Sequence, residues 1–152
     1  MYLSDSPTVS QLAPTVGRDA LLGAWCQLTA LCAAHAASGA NGEDIRSLRV
    51  LLDEAGSESE VSVWSSLMAS MYVTICETAH HGLYEAVVLD LWQRIDADGF
   101  GDVLMARLWD HRVDAERSLR QVVSCIADVD ADRAHAAMST HLTLVRRRAV
   151  GR

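Results

Sequence analysis

The chain has 152 residues and a net charge of −7, and its thirteen basic residues are all arginine. That length supplies one domain with a core of its own, and the acidic balance without a basic face argues against binding a phosphate backbone. With no lysine amine, a Schiff base, a phosphate-loop lysine and pyridoxal phosphate attachment are all excluded.

Residues 1–17 read as a polar N-terminal arm carrying Pro7 and Pro14, and residues 18–152 as a single helical domain. The arm is far too short for a winged helix. A first helix is expected from an N-cap at Asp19 to Ala37, ended by the glycines of Ser38–Gly42. It is apolar nearly all round, through Leu21, Leu22, Trp25, Leu28, Leu31 and Cys32, so more than one of its sides is expected to be buried. A second helix runs from Glu43 to Glu54 and stops at Gly56. A third, from Ser59 to Ala79, places Trp64, Met68, Tyr72, Ile75 and Cys76 on one stripe. The next starts near His81 or Gly82 and carries Leu83, Val87, Leu91 and Ile95, until Asp96–Asp102 breaks the pattern. One long penultimate helix is expected from there to Asp128. An acidic corner, Asp128-Val-Asp-Ala-Asp132, then leads into a last helix with Ala134, Ala137, Met138, His141, Leu142 and Val145 on one side. Strand signals are nearly absent, and a β-branched cluster such as Val87-Val88 lies inside a helical stripe. The sum is an all-α antiparallel bundle of about six helices.

The four cysteines, Cys26, Cys32, Cys76 and Cys125, form no C-x-x-C pair and no metal-ligand spacing, and read as small buried hydrophobes. Met1 to Pro7 lacks the basic start and apolar run of a signal peptide. No window approaches the length of a membrane span, so a cytoplasmic protein with reduced thiols is expected.

Three stretches together carry a family resemblance. The pattern Ile126-Ala-Asp-Val-Asp130-x3-Ala134-x3-Met138-x2-His141-Leu142 resembles the closing signature of the C-terminal effector-binding (FCD) domain of FadR-like GntR transcription regulators. Asn41-Gly-Glu43-Asp44-Ile45-x2-Leu48-x2-Leu51-Leu52 resembles the start of that family's second helix, and Ile75-Cys-Glu77-x5-Leu83 the segment joining its middle helices. The likeness spans about Arg18 to Arg148. It implies a sensor domain without the DNA-binding winged helix that such regulators place before it. It also implies an arginine and a glutamate in the first helix, where this chain has Leu22 and Cys26. Many domains of the family hold a divalent metal through one aspartate and three histidines. Here those four places fall on Met68, Tyr72, Leu119 and His141, and one imidazole cannot hold the ion. No metal and no cofactor is expected.

His141 is the one polar residue on an inward stripe, and a polar group placed there needs a partner or has a task. In place of a metal centre the pattern suggests an apolar pocket lined by Trp64, Met68, Tyr72, Leu119, Val122, Val123, Met138 and His141, suited to a small organic ligand. A filled core of the same side chains fits the pattern equally. Arg112 and Glu116 precede Leu119 by seven and three residues on the same face. They are candidates to hold a ligand carboxylate or, with His141, to move a proton, and they equally suit a solvated surface pair.

The first functional expectation is a stand-alone binding module for a small, largely apolar metabolite. An alternative is a cofactor-free isomerase or cyclase in a biosynthetic pathway, with His141, Tyr72 or Glu116 as acid or base. A further alternative is a partner subunit of a GntR-type regulator, its tryptophans serving partly as interface anchors. A homodimer is expected as partner state, with neither nucleic acid nor membrane.

Overall fold

The structure, a computed structural model, describes residues 17–149; the arm expected over the first residues lies outside these except for Gly17. Among the described residues seven helices follow one another: α1 (Arg18–Gly39), α2 (Gly42–Gly56), α3 (Val61–Thr78), α4 (Gly82–Asp96), α5 (Phe100–Trp109), α6 (Arg112–Ala127) and α7 (Ala131–Ala149). No strand occurs among the described residues. The all-α bundle is as expected, with one helix more.

α1 is the helix on which the others close. It packs most extensively against α7, then α4, α3 and α6, which is what an all-round apolar surface demands. At 22 residues it is also long and apolar enough to cross a bilayer by length and composition, contrary to the expectation that no window is. Its apolar faces are instead taken up by the bundle, with Leu22, Trp25, Cys32, Ala33 and Ala36 buried. Its N-cap is Gly17 and not Asp19; Asp19 lies within the first turn, where a carboxylate complements the helix dipole.

α2 begins with a reciprocal capping box, in which Asp44 N donates to Asn41 Oδ1 at 2.9 Å and Asn41 N to Asp44 Oδ2 at 3.0 Å. The Asn41 backbone amide, joined by the His80 imidazole at 3.3 Å, holds the Asp44 carboxyl below the ordinary carboxylate range. Its buried residues, Ile45, Leu48, Leu52 and Ala55, lie three and four apart and face α3 and α6.

The expected long penultimate helix is two helices. Leu104, Leu108, Ala115, Leu119, Val122 and Ile126 are all buried, and their spacing continues unbroken across the join, which is why periodicity alone reads one helix. The chain breaks at Asp110 and His111, where the His111 backbone leaves the helical region (φ −118°, ψ 23°). The two segments serve different neighbours: α5 lies across α3, α4 and α7, whereas α6 lies along α2 and α7.

Two corners are set by backbone chemistry. After α6, the Val129 amide donates to Ile126 O and the Asp130 amide to Cys125 O, at 3.0 and 3.1 Å. With Val129 left-handed at φ 57°, this is a Schellman motif. Asp130 Oδ1 then accepts from the Arg133 amide at 3.1 Å and starts α7. Between α4 and α5, Gly99 adopts φ 81°. Gly101 there lies so close to the Asp96 carboxylate that a Cβ would stand 2.4 Å from Oδ1.

Candidate ligand site

The middle turns of α3, α6 and α7 meet in the bundle interior. Trp64, Met68, Leu119, Val122, Met138 and His141 are each fully enclosed, and Tyr72 and Val123 nearly so. Among these apolar walls lies one continuous polar chain. Tyr72 Oη is 2.7 Å from His141 Nε2, and Ser118 Oγ is 2.6 Å from His141 Nδ1. The Ser118 hydroxyl also donates to Ala115 O at 2.9 Å. With its one proton so engaged, Ser118 accepts from Nδ1–H, and Nε2 is left to accept the Tyr72 hydroxyl proton. Tyrosine, imidazole and serine thus form a one-directional relay ending on a helix carbonyl, with both imidazole nitrogens satisfied.

Burial fixes the charge state of that chain. Desolvation lowers the His141 pKa from 6.5 to about 3, and it pushes the Tyr72 phenol well above its ordinary value, with the Cys26 thiol adding to the same direction. At neutral pH the imidazole is uncharged and the phenol protonated. The interior therefore offers hydrogen bonds without charge.

The walls are aromatic on one side. Trp25 meets Tyr72 edge-on at 5.2 Å and Trp92 at 5.0 Å. Trp25, Tyr72 and Trp92 with Ala69, Val73, Val88 and Leu89 line an apolar crevice on the α3–α4 side, in which only about 10 Å³ is clear. That is space for about one water. The side chains expected to line a pocket are all buried, and this crevice reaches Tyr72 from outside. Val123 also faces a separate polar groove of about 220 Å³ with Arg49, Leu52, Asp53 and Arg120. Trp25 and Trp64 are core residues, with Trp92 and Trp109 half-buried against them, so the tryptophans build the interior and do not stand out as interface anchors.

Arg112 and Glu116, expected together at one mouth, take different partners. The Glu116 carboxylate accepts from Trp64 Nε1 at 2.8 Å and lies beside Gly56 and Arg120 at the end of α2. Arg112 is exposed; its guanidinium lies 4.2 Å from the Trp109 ring centroid and donates to Trp109 O at 3.2 Å. One residue not singled out from the sequence, Ser118, belongs to the site, and so does Cys26, which the family resemblance marked on the first helix only as the place of an implied charge. Ser118 fixes the imidazole tautomer, and its position one residue before Leu119 was the available signal. Cys26, half-buried on α1, is near enough to affect Tyr72, and burial raises its own thiol to about 11 against the opposing pull of Arg146.

The four places at which the family resemblance implies metal ligands hold two apolar side chains, a protonated phenol and an imidazole whose nitrogens are both engaged. That donor set does not fit a divalent cation. Among the described residues no three histidine, cysteine, aspartate or glutamate side chains converge elsewhere as a metal site.

No curated protein matches the chain. The FCD domain family model matches residues 21–144, so the chain belongs to the FCD domain family, which generally supplies the effector-binding domain of GntR regulators.

Proposed function

We propose that this domain binds a small, uncharged, largely apolar organic metabolite inside the bundle, without a metal, in the cytoplasm. Tyr72 and His141 form its polar pole, and Trp64, Met68, Leu119, Val123 and Met138 its apolar walls. One observation carries this reading. The neutral Tyr72–His141–Ser118 relay sits in an otherwise apolar interior, at the place where the family resemblance implies metal ligands. An alcohol hydroxyl can insert between the phenol and the imidazole, accepting from Tyr72 Oη and donating to His141 Nε2, and so exchanges one hydrogen bond for two, whereas a ketone or ester oxygen accepts from Tyr72 alone. A carboxylate would bury a charge there with no cation to meet it, since Arg112 is engaged on the Trp109 ring. The crevice between α3 and α4 is the route inward, opening by movement of Trp25 and Trp92.

The isomerase or cyclase reading is less well supported. An acid or base works best with its pKa near the ambient pH, and both His141 and Tyr72 are displaced away from neutrality. Glu116, the third candidate, is committed to Trp64.

The test follows tryptophan emission during titration with matched medium-chain ketones, alcohols and carboxylates. Trp25 and Trp92 stand beside Tyr72, so a ligand at the relay changes their emission. Saturable binding of the neutral compounds is expected, weakened about tenfold in Tyr72→Phe, the worth of about one hydrogen bond. Uniform preference for the carboxylates, or equal affinity in Tyr72→Phe, overturns the reading.

A further inference from the structure

The α2–α3 hairpin carries an outer groove with apolar and acidic sides. The groove encloses about 590 Å³, with Val50, Val63 and Leu67 as its floor and Asp53, Glu54 and Glu58 on its rim. Val50 and Val63 are 49% and 41% exposed. Single exposed valines are ordinary, but these two line one groove with Leu67, and the exposed Val61 extends the apolar ground at the start of α3. β-branched residues are not favoured on an exposed helix face by propensity. Contiguous apolar ground with a polar rim marks a contact surface.

The rim has a definite sign. From Asn41 to Glu60 the chain has six carboxylates, on Glu43, Asp44, Asp53, Glu54, Glu58 and Glu60, against Arg46 and Arg49. Asp53 is met by Arg120 at 3.1 Å, and Glu58 accepts from the Ser59 and Glu60 amides. Among the described residues no cation lies within ion-pair distance of Glu54 or Glu58. The other end of the chain is its complement: from Arg133 onward there are five arginines and no acidic side chain. Arg146 and Arg147 are exposed in the last turns of α7, and Leu144, three residues before Arg147, shares its side of the helix.

We propose that the α2–α3 groove docks the arginine-bearing end of α7 from a second copy of this chain. Arg147 meets Glu54 and Glu58, and the Leu144 side lies on Val50 and Val63. Groove and helix end are different patches, so each copy both gives and receives, and the contact is heterologous. The apolar floor holds the contact while the opposed charges set its orientation and its sensitivity to salt. This docking stands independently of the metabolite reading, because it uses no residue of the Tyr72–His141 interior.

The experiment is sedimentation of the full chain over a range of protein concentrations at low and high salt. The weight-average mass is expected to rise above that of one chain with concentration at low salt and to fall back at high salt. Glu54→Arg and Arg147→Glu, both exposed positions, are each expected to weaken association about tenfold or more, with helical circular dichroism unchanged. Mixing the two variants is expected to restore it, because the intact groove of one meets the intact helix end of the other. A chain that stays monomeric at every concentration overturns the proposal. So does association that either variant leaves intact, or that mixing fails to restore.

Discussion

His141 was legible as an inward polar residue because every neighbour on its helical stripe is apolar. What satisfies it was only half legible. Tyr72 could be placed on the facing stripe of α3, whereas Ser118, three residues after Ala115 and four before Val122, lies at the edge of the apolar stripe of α6, where a small polar side chain reads equally as surface. Arg112 and Glu116 share a face in sequence, yet the indole of Trp64 claims one and the ring of Trp109 supports the other. Those ring contacts depend on how α3 and α5 meet α6, which no local pattern encodes. The buried imidazole has a consequence for stability. Between about pH 6.5 and 3 the unfolded chain takes up a proton that His141 refuses while folded. The unfolded state therefore binds more protons there, and stability falls as pH falls through that window, while above 6.5 this contribution is flat. Urea melts across the window should show that slope, and His141→Gln should flatten it. A slope unchanged in His141→Gln would place the titration elsewhere. Thr29 offers the opposite case. It is fully enclosed on α1, and its hydroxyl has no hydrogen-bond partner. Thr29→Val removes that polar atom at nearly constant shape, and is expected to raise unfolding free energy by about 1 kcal/mol, seen as a higher urea midpoint.

Helices were readable where apolar spacing and stop residues agree. α2, with Asn41 before it and Gly56 at its end, lies close to its expected bounds, and so does α4 behind His81. The break between α5 and α6 was hidden because the buried positions on either side stay in phase; the change of direction is set by the neighbours each segment packs against. The corner between α6 and α7 was foreseen from its aspartates, but not its geometry. Val129 is a β-branched residue at φ 57° in the position of a Schellman motif that ordinarily takes glycine. Its side chain is 71% exposed, so removing it gives up little packing. Relief of left-handed strain, about 1–2 kcal/mol, outweighs the greater chain entropy of glycine, about 0.5–1 kcal/mol. Val129→Gly is therefore expected to stabilise the fold by about 1 kcal/mol, measurable as a raised thermal midpoint. A lowered midpoint would mean that Val129 makes a contact in solution that outweighs the strain.

At the scale of the whole molecule, the order and spacing of three moderate sequence matches were enough to identify the bundle and its family, because helix lengths and corner positions fix the topology of a small all-α domain. The interior was harder to read. A tryptophan–methionine–tyrosine stripe has the same period whether it lines a cavity or fills one; in the assembled bundle these side chains are buried around the relay. The substitutions that set Met68 and Leu119 where the family resemblance implies metal ligands leave a neutral hydrogen-bonding centre in the middle of the effector-binding fold. Native mass spectrometry of the purified full chain, set beside its denatured mass and an elemental assay of the same sample, tests that centre directly. The expected result is a non-covalent organic mass on a fraction of the protein, lost on denaturation and carried by a smaller fraction in Tyr72→Phe, without stoichiometric metal. A stoichiometric divalent ion that survives gel filtration would contradict it.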